Sequence, residues 1–167
     1  EYSHQSGTGP VGVCLVTGRR EEISRIHGTI KGVRGAQPCG AALVSFNEPA
    51  FESYGKEQSF NAPVGTYAAY AYTTALNYLL SDRSHGTTIG DTAVVYWSEE
   101  GDERYQNIFA CVSEPTMENQ EIVDGVFKNL AEGKAVAVQD VKDSLDIEKR
   151  FYILGLAPNA ARLAVRF

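Results

Sequence analysis

The chain has 167 residues, of which 43% are hydrophobic and 22% are charged, and its formal net charge is −6 at pH 7. This length fits one domain, and the composition excludes a disordered acidic tail, a collagen-like repeat and a coiled coil. No apolar run approaches the roughly 20 residues that a membrane span requires, so the sequence predicts a soluble protein with no membrane partner. The odd number of widely spaced cysteines predicts a cytoplasmic location. The chain begins without a methionine and stops inside a strand-like alternation. We therefore expect residues 1–167 to form a single α+β fragment of a longer, multi-domain protein.

Charge is distributed unevenly along the chain. Between residues 23 and 47 the only charged side chains are Arg25, Lys31 and Arg34, whereas residues 91–148 carry fourteen acidic and four basic residues. Residues 149–167 carry four basic residues and no acidic one. An acidic chain repels a polyanion overall, so a contact with nucleic acid must use one of the two basic segments. The acidic middle is most simply a solvated face.

The first predicted elements are a hairpin, a loop, a strand and a second loop. Apolar and alternating runs at residues 11–17 and 22–27 predict the hairpin. Residues 28–40 hold four glycines and a proline, which predicts a loop and disfavours a helix. Residues 41–46 then have strand composition, and residues 47–61 predict a long polar loop with interleaved aromatic side chains.

Two helices and several further strands are predicted in the rest of the chain. A helix at about 63–80 follows from Asn61 as its N-cap, Pro63 in its first turn and an apolar stripe at helical spacing. A second helix is predicted at about 116–132, although Gly125 weakens it. Strands are predicted at residues 91–97, 134–139, 150–157 and 160–167, with Pro158 and Asn159 as the turn between the last two. The fold class is therefore α+β, with a mixed or antiparallel sheet, at least two helices and long Gly-rich loops.

Catalytic and metal chemistry find little support in the sequence. Cys39 or Ser45 could act as a nucleophile with His27, but neither lies in a G-x-S-x-G motif, and His27 is better explained as a structural histidine with satisfied hydrogen bonds. The three cysteines and three histidines follow no metal-ligand spacing, so the cysteines are interpreted as buried, reduced thiols. We therefore predict no catalytic residue, no metal and no cofactor.

The glycine-rich loop matches two phosphate-binding or RNA-binding motifs only weakly. It has no G-x-x-x-x-G-K-[ST] sequence, and Pro38 opposes the helix that a P-loop requires. The tetrad at residues 32–35 fits the G-x-x-G of a KH domain, but the flanking segments do not predict the two helices that this loop must join.

A nucleic-acid interface needs no such motif. Glycines let the backbone approach a ligand, basic side chains contact phosphates, and planar amides match base edges. Asn61 also carries an amide, but its role as a helix cap explains it better. Two ordinary surface loops remain the alternative interpretation. The candidate nucleic-acid-binding residues are Lys31, Arg34, Gln37, Asn47, Tyr54, Lys56 and Gln58.

Several longer strings resemble one known family, the large subunit of the type I-C CRISPR Cascade complex. The resemblance covers most of the chain outside residues 98–149, and it departs from the family at Pro38 and Cys39. Its markers are Cys14-Leu15-Val16-Thr17-Gly18, residues 30–37 (IKGVRGAQ), Ser45-Phe46-Asn47, residues 53–58 (SYGKEQ), Asn61-Ala62-Pro63 and residues 154–162 (LGLAPNAAR).

The resemblance implies an interior fragment from the N-terminal part of that subunit. Such subunits are not nucleases; they help to recognise the protospacer-adjacent motif on duplex DNA and start the strand separation that lets the guide RNA pair. The implied partners are double-stranded target DNA, other Cascade subunits and, indirectly, the guide RNA. Two alternatives stay open at this point. One is a scaffold that docks neighbouring subunits and the guide through the basic residues 150–166, and the other is a hydrolase built on His27 and Cys39.

Overall fold

The computed structural model of the chain describes residues 9–113 and 149–167. The chain divides into two compact units, residues 1–78 with 158–164 and residues 79–157 with 165–167. The described residues form a two-stranded sheet of order β1-β2 and a four-stranded sheet of order β3-β4-β5-β6, together with two α-helices. The pairs β1–β2, β3–β4 and β4–β5 are antiparallel, so the predicted α+β class is confirmed.

The first unit opens with a hairpin that is shorter than predicted. Strands β1 (Val11–Val13) and β2 (Arg20–Glu22) pair with Val13 opposite Arg20. The amide of Cys14 donates to the carbonyl of Arg19, and the amide of Gly18 donates to the carbonyl of Cys14, both at 2.9 Å. These two bonds close a turn over residues 14–19, and so the strands stop before Cys14.

Helix α1 (Thr66–Ser81) confirms the helix predicted at about 63–80, but its start differs. Asn61 is not the N-cap, because it ends a short 3₁₀ helix, Gln58–Asn61. Its Nδ2 donates to the carbonyls of Lys56 and Gln58 at 2.8 and 2.9 Å, and its Oδ1 accepts the Ser53 N–H at 2.8 Å. Asn61 therefore organises the preceding loop, where it has three partners, instead of capping the helix.

The core of the first unit forms where α1 meets the hairpin turn. Cys14 and Val64 pack with the first turn of α1, and Tyr72 lies against this cluster. The predicted apolar stripe of this helix contained Ala75 but not Ala69 or Thr73, whereas the structure buries Ala69 and Thr73 and leaves Ala75 exposed. The buried residues of the helix are Ala68, Ala69, Thr73 and Leu76.

The strand predicted at residues 41–46 does not form. Ala41 pairs with Ile30 in an isolated antiparallel bridge, whereas Ala42 pairs with Arg162 in a parallel one. Adjacent residues thus take different partners in different directions, and a continuous ladder cannot develop. Gly40, at φ 101°, turns the chain immediately before these bridges.

The second unit holds strands β3 (Gly86–Ile89), β4 (Thr92–Ser98) and most of β5 (Phe151–Asn159). The strand predicted at 91–97 is confirmed as β4, whose Val94 and Val95 are completely buried. Strand β3 was missed, because it has only four residues and begins with a glycine. Gly90, at φ 65°, makes the tight turn between β3 and β4.

A second helix, α2 (Glu103–Ser113), was also not predicted. Asp102 precedes it and accepts the Arg104 main-chain N–H at 3.1 Å, as an N-cap residue does. The helix packs against β4, with the rings of Phe109 and Tyr96 centred 4.6 Å apart. The helix predicted at 116–132 and the strand predicted at 134–139 lie outside the described residues.

The last hairpin turns later than predicted. Strand β5 runs through Pro158 and Asn159, and β6 covers Arg162–Val165, so the turn lies at Ala160, where φ is 52°. The pairing of β5 with β4 ends at Leu156, so the absent N–H of Pro158 breaks no bond in that ladder. Among the residues that the structure describes, no helix is both long enough and apolar enough to cross a membrane.

Candidate nucleic-acid interface

Residues 30–41, here called the cationic loop, carry three of the predicted binding residues. Ile30 and Ala41 close the loop by exchanging two main-chain hydrogen bonds of 2.9 Å, and both are fully buried. The side chain of Val33 is also buried and anchors the middle of the loop. The loop is therefore held at its two ends and at one interior point, while Lys31, Arg34 and Gln37 are exposed.

Two tight turns shape the cationic loop. The amide of Ala36 donates to the Val33 carbonyl at 3.2 Å, and Gly35 at the third turn position has φ 86°. This positive φ fits the third position of a type II turn, where glycine is favoured. Arg34 occupies the second position, so the turn presents its side chain outward.

The second turn contains Pro38 and Cys39. The Gly40 amide donates to the Gln37 carbonyl at 2.9 Å, which places Pro38 at the second turn position, where its fixed φ is favourable. A Cβ atom at Gly40 would lie 2.8 Å from Thr29 Oγ1, and φ there is 101°. Only glycine fits this position, and Pro38 and Cys39 occupy the two central positions of the turn.

Helix α1 fixes the base of the cationic loop. Asn77 Oδ1 accepts the Lys31 main-chain N–H at 2.8 Å, and Asn77 Nδ2 donates to the Thr29 carbonyl at 3.0 Å. Gly28 lies against Thr73, where a Cβ atom would be 3.2 Å from the threonine Oγ1. These contacts order the backbone before any ligand binds, which lowers the entropy lost on binding.

The cations of this loop are not neutralised internally. In residues 9–113 and 149–167 neither Lys31 nor Arg34 forms a salt bridge or a side-chain hydrogen bond, whereas Arg25 pairs with Glu57 at 3.2 Å. Gln37 has one weak contact, since its Oε1 accepts from Cys39 Sγ at 3.7 Å. Two positive charges and one amide thus face solvent from an ordered backbone.

The second group of predicted residues lies on the loop of residues 47–61. The Lys56 amide donates to the Ser53 carbonyl at 3.0 Å, and Tyr54 and Gly55 between them have φ of 54° and 67°. Positive φ at both central positions defines a type I′ turn, which favours Asn, Asp or Gly. Tyr54 lies at the tip of this turn and is 99% exposed. The turn therefore holds an aromatic ring in solvent, and the positive φ of Tyr54 strains the backbone.

The two remaining predicted amides are engaged within the protein. Gln58 Oε1 accepts from Arg25 Nε at 2.8 Å. Asn47 Oδ1 accepts from the guanidinium of Arg162, whose Cζ lies 4.7 Å from the centre of the Phe51 ring. Gln58 therefore has a structural role as well, because it holds Arg25 in place.

Predicted binding residues line two cavities of the first unit. The larger, about 630 Å³, is lined by Lys56 together with apolar residues that include Val11 and Val13. The smaller, about 180 Å³, is lined by Asn47, Gln58 and His27 among others. The structure therefore brings Asn47 and Gln58 to one cavity. The predicted residues of the cationic loop, Lys31, Arg34 and Gln37, line neither cavity.

His27 differs from the satisfied structural histidine that was predicted. It is 4% exposed, and its Nδ1 lies 2.7 Å from the Tyr72 hydroxyl, but its Nε2 has no hydrogen-bond partner among the described residues. Burial lowers the pKa of His27 and raises the pKa of Tyr72 to about 12, so both side chains are neutral near pH 7. Ser45 lines the same small cavity but forms no hydrogen bond with His27.

The cysteines also differ from one another. Cys14 is buried as expected, whereas Cys39 is exposed on the cationic loop. Burial raises the pKa of the Cys14 thiol, but hydrogen bonds from Thr17, Gly65 and Val16 outweigh that effect and lower it. No three His, Cys, Asp or Glu side chains within residues 9–113 and 149–167 lie close enough to hold a metal ion.

Sequence reasoning missed four residues that shape this region. Arg25 was noted only as a charge and Arg162 only as part of a basic stretch, while Asn77 on α1 was not considered. His27 was assigned a structural role without its unpartnered nitrogen. The contacts of these residues join segments that are 32–115 positions apart, so a local sequence pattern does not reveal them. The one available signal was the acid-free stretch that contains Arg25.

The comparison with protein families gives a match over the whole chain. A family model described as CRISPR-associated protein (Cas_Csd1) matches residues 1–167. No curated protein has a significant sequence match to the chain.

Proposed function

Because the chain belongs to the Cas_Csd1 family of CRISPR-associated proteins, we propose that it is a DNA-binding part of an RNA-guided surveillance complex of the type I-C Cascade kind. It helps to recognise the protospacer-adjacent motif on duplex target DNA and to start the separation of the strands. It acts in the cytoplasm with other Cascade subunits, meets the guide RNA only indirectly, and catalyses no reaction.

The cationic loop is the observation that carries this proposal. Lys31 and Arg34 extend from a backbone that Asn77 and the Ile30–Ala41 bridge hold in place. Phosphate contacts from such cations release counterions and supply affinity that does not depend on sequence. Since the chain as a whole is acidic, a local pair of unneutralised cations supports a confined DNA contact more than a general attraction to polyanions.

Gln37 is the residue of this loop best suited to recognise the DNA sequence. It lies three residues after Arg34 on the same loop and is exposed, so its amide is available to a base edge when the loop contacts DNA. An amide offers a donor and an acceptor in one plane, which matches the edge of adenine in the major groove. Asn47 and Gln58 already use their carbonyl oxygens within the protein, so Gln37 is the first choice as reader.

The test is binding of the assembled complex to a library of duplex targets that differ in the flanking motif. Gln37→Ala should change the ranking of motifs and weaken the preferred one by about 10-fold to 100-fold, as expected for the loss of one base contact. Lys31→Ala should weaken all motifs by a similar factor, and Asn107→Ala, at an exposed amide of helix α2, serves as the control. A ranking that survives Gln37→Ala would place the reader elsewhere in the protein.

A scaffolding function is the second candidate, and one observation favours it. The hairpin and its turn expose four apolar side chains, with Leu15 at 69% and Val16 at 68%. Val11 and Val13 continue this surface. The basic C-terminal residues support docking less, because Arg162 contacts Asn47 and Arg166 lies 3.8 Å from Asp91. Leu15→Ser with Val16→Ser should reduce co-purification with other Cas proteins if this surface docks a subunit.

A further inference from the structure

The outer edge of strand β1 carries main-chain groups that the hairpin does not use. The Cys14 amide donates to the Arg19 carbonyl at 2.9 Å, so this pair is a hydrogen-bonded position of the ladder. Bonded and unbonded positions alternate in an antiparallel pair, and the register makes Val13 and Val11 unbonded positions. Their N–H and C=O groups therefore point away from β2, and no bond from these groups to another described segment is present.

An apolar groove, here called the β1 groove, follows this free edge. It is the cavity of about 630 Å³, and all three residues of β1 line it, whereas no residue of β2 does. The groove therefore lies on the side of β1 that faces away from β2. Gly12 has no side chain and lines the groove with main-chain atoms, while Phe60 and Pro63 add apolar surface. Val11 and Val13 are each 57% exposed. An occupant of the groove thus meets main-chain donors and acceptors beside apolar side chains.

The β1 groove presents one charge that the protein does not neutralise. Of the two charged residues in its lining, Glu57 is paired with Arg25 at 3.2 Å. The Lys56 side chain has no ion pair or hydrogen bond within residues 9–113 and 149–167. Charge complementarity therefore favours an occupant with an acidic group near Lys56. A DNA phosphate also suits Lys56, but it leaves the apolar walls and the strand edge uncovered, so the groove favours a protein segment.

We propose that the free edge of β1 receives an extended segment of another protein subunit of the complex, which adds a strand to the β1–β2 sheet. The segment places apolar side chains at alternate positions in the groove and an acidic side chain beside Lys56. Main-chain hydrogen bonds supply affinity in this mode of recognition, and the alternate side chains supply specificity. The paired length is about 10 Å, as three residues of a strand provide. This inference rests on the proposed function, because it names the kind of partner that binds such a subunit, and it assigns Lys56 to a protein contact.

The first experiment measures amide hydrogen exchange in the subunit alone and in the assembled complex, with fragmentation that resolves single residues. The Val11 and Val13 amides should exchange about 10-fold more slowly in the complex, because the added strand supplies their acceptors. Gly12 is the internal control, since its amide already points towards β2 and its exchange should change little. Exchange of Val11 and Val13 that assembly leaves unchanged would overturn the inference.

The second experiment compares two substitutions at Val13 by the affinity of the purified subunit for the other purified subunits. Val13→Pro removes the outward N–H, and a strand edge tolerates proline where the N–H makes no bond within the sheet. It should weaken assembly by about 3-fold to 10-fold, as expected for one main-chain hydrogen bond. Val13→Ile keeps the N–H and an apolar side chain and should assemble like wild type. Equal affinities of the two variants would contradict strand addition. The exchange measurement uses wild type, so it decides the question even if Val13→Pro does not fold.

A substitution at Lys56 tests the acidic character of the partner segment. Lys56→Glu should weaken assembly by about 2-fold to 5-fold, because it replaces an attraction with a repulsion. An affinity equal to that of wild type would contradict an acidic group beside Lys56.

The same exchange data distinguish the other possible occupants. Protection of Val11 and Val13 that rises with the concentration of the subunit alone identifies a second copy of this chain, and protection that appears only on addition of duplex DNA identifies nucleic acid. Either result would overturn the inference. Duplex binding by a complex in which these amides stay unprotected leaves the proposed function standing. Protected amides in a complex that binds no duplex target would instead overturn the proposed function and retain the strand addition.

Discussion

The main-chain N–H of Lys31 donates a hydrogen bond of 2.8 Å to Oδ1 of Asn77, a partly buried residue of helix α1. The same side chain returns a hydrogen bond of 3.0 Å to the carbonyl of Thr29. One asparagine thus satisfies two backbone groups at the start of the cationic loop. The position of the Lys31 side chain is therefore set by the helix, although the loop itself contains no regular secondary structure.

Replacing Asn77 tests this coupling between helix and loop. Asn77→Leu keeps the size of the side chain but leaves the Lys31 N–H and the Thr29 carbonyl without their partner. We expect the free energy of unfolding to fall by about 1–2 kcal/mol and the Lys31 amide to exchange faster with solvent. Hydrogen exchange and urea denaturation measure both effects. The control is Thr74→Leu at an exposed position of the same helix, and equal exchange of the Lys31 amide in both variants would argue against the coupling.

Tyr54 allows stability and binding to be separated. Because its ring is 99% exposed, the side chain contributes little to the stability of the folded state. Its φ of 54° is unfavourable for a residue other than glycine and lowers that stability. Tyr54→Gly should therefore raise the free energy of unfolding by about 0.5–1 kcal/mol. If the ring stacks on an unpaired base, the same change should weaken binding of single-stranded DNA by about 1–3 kcal/mol. Unchanged binding would show that the ring does not contact nucleic acid.

Local patterns were sufficient where short-range signals decide the structure. The apolar run at 91–97 became β4, which is buried along almost its whole length, and the periodic segment after Pro63 became α1, although that helix buries a different face from the predicted one. Patterns failed where a single polar side chain changes the outcome. Asn61 has the sequence features of a helix cap, but three loop partners at residues 53–58 compete for its amide.

The candidate site could be predicted only in part, for a similar reason. An acid-free, glycine-rich segment identifies Lys31 and Arg34 as exposed cations without knowledge of tertiary contacts. The engagement of Gln58 by Arg25 and of Asn47 by Arg162 depends on the tertiary fold, since 33 and 115 positions separate the partners. The unpartnered Nε2 of His27 is likewise visible only once Tyr72 is placed beside its other nitrogen.

The ionisation of Asp102 is expected to make the stability of the protein depend on pH at low pH. Hydrogen bonds from the Arg104 side chain, with a further one from its main-chain N–H, hold the pKa of Asp102 at about 2. Since this carboxyl group titrates near 4 in an unfolded chain, its contribution to stability is fully present above about pH 4 and is lost as pH falls towards 2. Asp102→Asn keeps a residue that can cap α2 but removes the ion pair with Arg104, which measures 2.6 Å.

The measurement is urea denaturation of wild type and Asp102→Asn between pH 6 and pH 2. Wild type should be the more stable protein at pH 6, and the difference should shrink as pH falls from about 4 to about 2. A difference that stays constant down to pH 2 would mean that the Asp102 carboxylate does not titrate as its contacts with Arg104 require.

The salt dependence of target binding tests the central claim most directly, because it counts phosphate contacts. The slope of log K against log salt concentration should become less steep by about 1–2 units when Lys31 and Arg34 are both changed to alanine in the assembled complex, with weaker binding to every target sequence. Arg19→Ala with Arg20→Ala removes the same charge from the exposed hairpin of the same unit and should leave the slope close to that of wild type. A slope that Lys31→Ala with Arg34→Ala leaves unchanged would contradict the account, because the cationic loop would then lie outside the DNA interface.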